Sequence, residues 1–172
     1  MPPTPWKTLS TREVYRNRWT RVREDIAEMD NGKTTIYGVV ECGQCVGVLP
    51  FVDDDHVVMV RQYRYVFGED HRWEMPTGGV HSGEPLVDAA RRECREEIGY
   101  DVAELEHVST YFTSKSIVQE IAHLYIGRGL VQVQQDATHR TGTAPPTFPK
   151  MGLAIATPHP SFLLPRKQRV RS

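Results

Sequence analysis

The chain has 172 residues, of which 39% are hydrophobic and 25% charged, and its net charge is −1. These values fit one globular domain, and the longest apolar runs are far too short to span a bilayer. The opening MPPTPWKTLS lacks the charged and apolar blocks of a signal peptide. We therefore expect a cytoplasmic protein with no membrane partner.

The three cysteines, an odd number, argue against a disulfide scaffold. Cys42 and Cys45 have the spacing of a metal or redox motif, but no second pair of Cys or His completes a zinc site. The pair lies between two strand-like runs around Gly43. We therefore interpret it as a hairpin connection.

The first third of the chain is typical of antiparallel strands. Strands are predicted over 11–16 and 19–29, followed by a strong hairpin turn signal, Asp-Asn-Gly, at 30–32. The chain is then expected to return as a strand over 33–41 and to continue as another over 45–52.

The middle of the chain contains the clearest strand, over 56–65, because 57–60 form a continuous apolar run. Residues 73–75 are predicted to be short and extended, since Pro76 follows them. The strongest helix prediction covers 85–98, with Pro85 at its first position and Gly99 just past its end. One apolar stripe of this helix should pack on the sheet: Leu86, Ala89, Ala90 and Ile98.

Two more strands are predicted over 102–112 and 120–133, and after them the composition changes. Beyond residue 120 the chain carries one acidic residue, Asp136, and seven basic ones. We predict a folded domain over 1–136 and a Pro-rich, basic, poorly ordered tail over 137–172.

Within this tail, the short apolar piece 151–156 could add a strand. A shifted reading frame is an alternative explanation for the change in composition. The basic end, 166–171, is interpreted as a solvated surface in preference to a nucleic-acid contact.

Three carboxylates stand close together at Glu93, Glu96 and Glu97. Residues three and four apart share one face of a helix, where like charges repel each other. A bound divalent cation is the simplest compensation, and carboxylate oxygens suit Mg²⁺ or Mn²⁺.

The run GGVHSGEPLVDAARRECREEIGY resembles the signature of the Nudix hydrolases, GX5EX7REUXEEXGU, in which U is aliphatic. Cys94 and Tyr100 fill two of the looser U positions. All fixed positions match: Gly78, Glu84, Arg92, Glu93, Glu96, Glu97 and Gly99. The resemblance implies an α/β/α sandwich around a mixed β-sheet. A second helix normally ends that fold, and this sequence offers no good candidate for it.

The resemblance also implies hydrolysis of a nucleoside diphosphate linked to another group. Glu93 and Glu97 would be ligands of Mg²⁺, and Glu96 would share the metal or assist the attacking water. A backbone carbonyl just before the helix, that of Thr77 or Gly78, would be a further ligand.

Two other positions of the signature are given supporting roles. Arg92 is expected to orient a catalytic glutamate, and Glu84 to stabilise the loop before the helix through a backbone N–H.

Upstream, RQYR at 61–64 and WEMPTGG at 73–79 resemble segments of the ADP-sugar pyrophosphatases. This branch implies a nucleotide-sugar substrate, with ADP-ribose favoured and GDP-mannose or a similar sugar nucleotide next. Arg61 or Arg64 could pair with phosphate. Glu74 would lie near the metals or the terminal ribose, and the glycines of the second segment, Gly78 and Gly79, would line the substrate site.

The N-terminal strands, about 11–41, are expected to form an antiparallel sheet and a homodimer interface. In that arrangement an aromatic residue such as Trp19 would contribute to the partner's base pocket.

The sequence departs from the branch in two ways, and the second favours a competing hypothesis, a catalytically weak or inactive Nudix domain that binds a nucleotide. Ser114-Lys115-Ser116 stands where ADP-ribose members usually carry a proline. Only Asp136 remains to replace their late acidic loop.

Overall fold

Nine strands and one helix make up the described parts of this computed structural model, which are residues 5–68, 72–133 and the backbone of 150–156. The elements, in chain order, are β1 (Lys7–Arg16), β2 (Arg21–Glu28), β3 (Thr34–Pro50), β4 (Val57–Gln62), β5 (Trp73–Glu74), β6 (Thr77–Gly79), α1 (Leu86–Ile98), β7 (Tyr100–Phe112), β8 (Val118–Gln132) and β9 (Lys150–Ala156).

The strands form two sheets. The larger one has the order β1-β2-β3-β8-β7, with β6 also paired to β3. Its pairs are antiparallel except β3 with β8, which run parallel, so the predicted mixed sheet with an antiparallel N-terminal part is confirmed. The smaller sheet has the order β5-β4-β9. The described residues hold α1 as their single helix, so a second helical layer is not seen in this part of the chain.

The predicted hairpin between β2 and β3 is confirmed. Gly32 has a φ of 75°, a left-handed conformation that glycine adopts without the steric cost of a side chain. The Lys33 N–H donates to the Asn31 side-chain oxygen at 3.0 Å, and the Met29 N–H donates to the Lys33 carbonyl at 2.8 Å.

The interpretation of Cys42–Cys45 as a hairpin connection is wrong, because these residues lie inside the 17-residue strand β3. Gly43 has a φ of 84°, and the register against β8 shifts between Glu41 and Gly43. The glycine therefore forms a β-bulge, which bends a strand without reversing it. The first half of β3 pairs with β2, and the second half with β6 and β8.

The helix α1 packs on β3, β4, β6 and β7. Its buried side includes Ala89, Ala90 and Cys94, which meet Val46 and Val48 of β3 in the main core. The predicted stripe is thereby confirmed, and Cys94 extends it.

The ends of α1 follow the expected signals. Pro85 has an extended backbone and precedes the helix, which therefore begins at Leu86, one residue later than predicted. Gly99 ends the helix with a φ of 75°, and its N–H donates to the Arg95 carbonyl.

The strand β9 contains the apolar piece 151–156 that the sequence left open as an additional strand, and it pairs antiparallel with β4. The chain beyond residue 136 therefore contributes a strand to the smaller sheet. The remainder of the predicted tail, together with Asp136, lies outside the described residues. Within the described part of the chain, no helix is long and apolar enough to cross a membrane.

Candidate active site

The acid-rich helix α1 lies against the short strand β6, and this contact brings most of the predicted site residues together. Gly78 of β6 faces Glu93 of α1 so closely that a Cβ at position 78 would lie 2.0 Å from Glu93 Oε1. Only a residue without a side chain fits there while Glu93 keeps its position. The sequence signature thus has a packing reason for its first glycine.

Glu93 is the buried member of the carboxylate group, with 7% of its surface exposed. Arg92 Nη1 donates to Glu93 Oε1 at 2.6 Å, a charge-assisted hydrogen bond. Burial raises the pKa of Glu93, Arg92 acts in the opposite direction, and the nearby Glu96 and Glu97 raise it further. The site therefore concentrates negative charge around a carboxylate that has lost much of its hydration.

Arg92 links the helix to the loop before it. Its Nε and Nη2 donate to the two oxygens of Glu84 at 2.8 and 3.0 Å, and Nη2 also donates to the Gly79 carbonyl at 2.8 Å. Glu96 Oε2 is 3.4 Å from Arg92 Nη1, but the Glu96 side chain is 60% exposed. Arg92 thus has the contacts of a residue that orients Glu93.

Glu84 also bonds to the backbone of the loop before α1. It accepts a hydrogen bond from the His81 N–H at 2.9 Å, which is the backbone contact that the sequence suggested. The neighbouring Arg92 guanidinium lowers the pKa of Glu84 to about 2.

Replacing Glu84 by glutamine should lower the free energy of unfolding by about 1–3 kcal/mol at neutral pH, because Arg92 loses a charged partner. The folded-state pKa lies below the ordinary value of 4.5. The stabilisation is therefore fully present above the ordinary value and is lost as the pH falls towards the folded-state pKa. Urea unfolding of both proteins near neutral pH and at about pH 3 measures the difference. Glu106→Gln, on the exposed side of β7, is the control. An equal loss at both pH values would contradict the role of this ion pair.

Glu97 lies one helical turn beyond Glu93 and meets the backbone of β6. Its Oε2 accepts a hydrogen bond from the Thr77 N–H at 3.0 Å, and Thr77 Oγ1 donates to the Met75 carbonyl at 2.9 Å. Thr77 and Gly78, whose carbonyls are the two candidates for a metal ligand, both belong to β6, the strand that α1 faces.

The donor atoms of the site decide whether a divalent cation fits there. Among residues 5–68 and 72–133, no three Asp, Glu, His or Cys side chains stand in an arrangement that could hold one ion. The carboxylates of Glu93 and Glu97 are instead bonded to Arg92 and to the Thr77 N–H. Two carboxylates one turn apart, beside the strand that carries the Thr77 and Gly78 carbonyls, nevertheless fit a cation that keeps several water ligands, as Mg²⁺ does.

Of the substrate-binding residues predicted upstream of the helix, Arg64 and Glu74 form an ion pair, and Arg61 lies near the Trp73 ring. Arg64 Nε donates to the two oxygens of Glu74 at 3.0 and 2.9 Å, and Arg64 Nη2 also bonds to this carboxylate. The Arg61 guanidinium lies 5.9 Å from the centre of the Trp73 ring. The sequence did not predict the pairing of Arg64 with Glu74, although their opposite charges flank one strand connection.

Trp19 is not brought to α1 within one chain. It lies in the turn between β1 and β2, is half-exposed, and has the Arg18 guanidinium 3.9 Å from its ring centre. The helix packs on other strands. The expected contact between Trp19 and a base pocket thus stays a prediction about a dimer.

A further anchor of α1 was missed in the sequence. Asp101, at the start of β7, accepts hydrogen bonds from Arg91 at 3.3 Å and Arg95 at 3.1 Å. Two arginines four residues apart, followed shortly by an aspartate, are the signal that could have indicated it.

Comparisons with known proteins bear on the family and the fold of this chain. Residues 43–146 match the NUDIX domain, and residues 6–40 match the nucleoside diphosphate sugar hydrolase N-terminal domain. A methanol dehydrogenase activator of Bacillus methanolicus is 32% identical over 131 residues, which cover 76% of this chain and 70% of that protein.

Two proteins named ADP-ribose pyrophosphatase are also similar. The protein from Bacillus subtilis is 27% identical, and the match covers 75% of this chain and 69% of that protein. The protein from Mycobacterium tuberculosis is 28% identical, and the match covers 78% of this chain and 65% of that protein. A crystal structure of an ADP compounds hydrolase superposes with a TM-score of 0.73 at 22% identity, covering 87% of this chain and 78% of the other.

The fold, the carboxylate-bearing helix and these matches define a hydrolase that acts on pyrophosphate bonds. The chain belongs to the Nudix family, and the resemblance to its nucleotide-sugar branch is confirmed. Nudix hydrolases generally depend on a divalent metal.

Proposed function

We propose that this protein hydrolyses the pyrophosphate bond of a nucleoside diphosphate sugar, with ADP-ribose as the favoured substrate and AMP and ribose 5-phosphate as products. The observation that carries the proposal is the placement of Glu93 and Glu97, one turn apart on α1, beside Gly78 and Thr77. The similarity to the two ADP-ribose pyrophosphatases supports the choice of substrate. A GDP-mannose-type sugar nucleotide is the next candidate.

We assign the metal to Mg²⁺, with Mn²⁺ as a substitute. Glu93 and Glu97 would hold it, with Glu96 and the carbonyl of Thr77 or Gly78 as further ligands. The bound cation would offset the charge of the diphosphate and lower the pKa of a coordinated water.

The reaction adds one water molecule across the phosphoanhydride. The water oxygen bonds to one phosphorus, the P–O–P bond breaks, and the departing phosphate keeps the bridging oxygen. Glu96 would accept the proton of the water. Arg61 and Arg64 would bind the phosphates, Glu74 and Gly79 would lie at the substrate site, and Arg92 would keep Glu93 in place.

The N-terminal strands are proposed to form a homodimer interface in a cytoplasmic protein. All residues of β1 are exposed, and within the described part of the chain no strand pairs with its outer edge, which would therefore accept a second chain. Exposed apolar side chains on this strand include Leu9, Val14 and Tyr15. Across such an interface, Trp19 of one chain would reach the base pocket of the other.

Hydrolysis is tested with ADP-ribose, ADP-glucose, GDP-mannose, NADH and diadenosine polyphosphates, each with Mg²⁺, with Mn²⁺ and with chelator. We expect metal-dependent release of AMP and ribose 5-phosphate, with ADP-ribose cleaved at the highest kcat/KM. A folded protein that binds these nucleotides and turns over none of them would refute the hydrolase proposal.

The competing function is a nucleotide-binding Nudix domain without turnover. The hydrogen bonds that occupy Glu93 and Glu97 favour it, because metal binding must displace or share them. A binder would keep its nucleotide affinity when Glu97 is replaced by glutamine, whereas an enzyme would lose metal-dependent hydrolysis.

A further inference from the structure

The ion pair between Arg64 and Glu74 engages one edge of the Arg64 guanidinium. Glu74 takes the edge formed by Nε and Nη2, with Nε at 3.0 and 2.9 Å from its two oxygens. A guanidinium has five N–H donors in a planar fork. The two donors on Nη1 are therefore not engaged by Glu74, and their direction is fixed by the pair.

The pair lies near the carboxylates of the candidate active site. Glu74 belongs to β5, opposite Val60 of β4, and precedes Thr77 by three residues. Thr77 is the residue whose N–H bonds to Glu97. Glu74 raises the pKa of Arg64, and the charge of Glu97 raises it as well, so the guanidinium lies within the field of both carboxylates.

This geometry gives Glu74 two effects on Arg64. A long, flexible arginine side chain that must be ordered by its ligand costs binding free energy, and the fork to Glu74 orders it in advance. An arginine close to Glu97 could also pair with that carboxylate and remove it from metal binding. The bidentate pair keeps Arg64 on Glu74, because a fork of two charge-assisted hydrogen bonds is stronger than a single contact.

We propose that Glu74 is a positioning residue that acts through Arg64, holding the Nη1 edge of the guanidinium ready for the diphosphate of the substrate. The inference rests on the proposed function and sharpens it, because Glu74 then serves the phosphate site and does not recognise the sugar. Arg64 and Glu74 form one functional unit.

A double-mutant cycle of Arg64→Gln and Glu74→Gln tests this unit. We expect Arg64→Gln to lower kcat/KM for ADP-ribose by about ten- to a hundredfold and Glu74→Gln by about tenfold, mostly through KM. The double variant should be no worse than Arg64→Gln alone. Glu104→Gln, an exposed carboxylate of β7, should leave both constants unchanged, and thermal unfolding of each variant shows that it is folded.

Effects that multiply in the double variant would overturn the inference, since they would mean that Glu74 contacts substrate independently of Arg64. The proposed function would then still stand on the turnover of the unmodified protein. If that protein hydrolyses no sugar nucleotide, the proposed function fails. In that case the same double-mutant cycle is measured as the Kd of ADP-ribose in the presence of Ca²⁺. Non-additive losses of affinity would support a joint role of Arg64 and Glu74, and additive losses would reject it.

Discussion

Replacing Glu97 by glutamine is expected to reduce metal-dependent hydrolysis by about 10²- to 10³-fold in kcat, which corresponds to several kcal/mol of charge stabilisation. The amide keeps the size of the side chain, but it cannot supply an anionic ligand to the cation. The bond from the Thr77 N–H to this side chain can persist through the amide oxygen, so the fold should change little. Steady-state kinetics over a range of Mg²⁺ concentrations measures the loss.

The matched control is Asp88→Asn, which removes a carboxylate from the exposed first turn of the same helix. It changes the helix charge by the same amount as Glu97→Gln, at a position away from β6. Its kcat should stay within about twofold of the unmodified protein, as is usual for an exposed surface change. Equal losses in the two variants would mean that the helix needs its overall charge and that Glu97 has no particular role.

Replacing Gly78 by alanine is the second change with a large expected effect. The new Cβ would lie 2.0 Å from Glu93 Oε1, so the Glu93 carboxylate must move. A displacement of about 1 Å at a reacting centre costs about a hundredfold in rate. We expect a loss of that size in kcat, together with about 1–3 kcal/mol of lost stability from overpacking. Enzyme kinetics and urea unfolding measure the two effects separately.

The adjacent glycine offers a close control, because a Cβ at Gly79 would meet no atom within 4 Å. Gly79→Ala should leave the free energy of unfolding almost unchanged, because the carbonyl of residue 79 can still accept from Arg92. In a Glu93→Gln background, Gly78→Ala should add little further loss, because both changes act on one side chain. A full hundredfold loss in that background would show that Gly78 serves something other than Glu93.

The parts of the fold that depend on neighbouring residues could be predicted from the sequence. The hairpin at 30–32 and the helix α1 follow from local turn and capping chemistry, and the structure confirms both. The spacing of Glu93 and Glu97 similarly fixed their place on one side of α1. Each of these features is decided within a few residues of chain.

Features that depend on distant partners could not be predicted in this way. A glycine with positive φ suits a tight turn and a β-bulge equally well, and only the pairing of β3 with β8 decides for the bulge at Gly43. The contact of Gly78 with Glu93 depends on how β6 meets the helix, and the pairing of Arg64 with Glu74 depends on the path of the β4–β5 connection. The sequence pattern contains the residue types but not these tertiary contacts.

The long strand β3 also has a consequence for biosynthesis. Its second half emerges from the ribosome well before its parallel neighbour, since Val46 pairs opposite His123 and Val48 opposite Tyr125. Until β8 has been translated, that edge of β3 has no lasting partner, and its two valines lack part of the core they later join. A nascent chain stalled between β7 and β8 should therefore be the form most prone to aggregate and most dependent on chaperones.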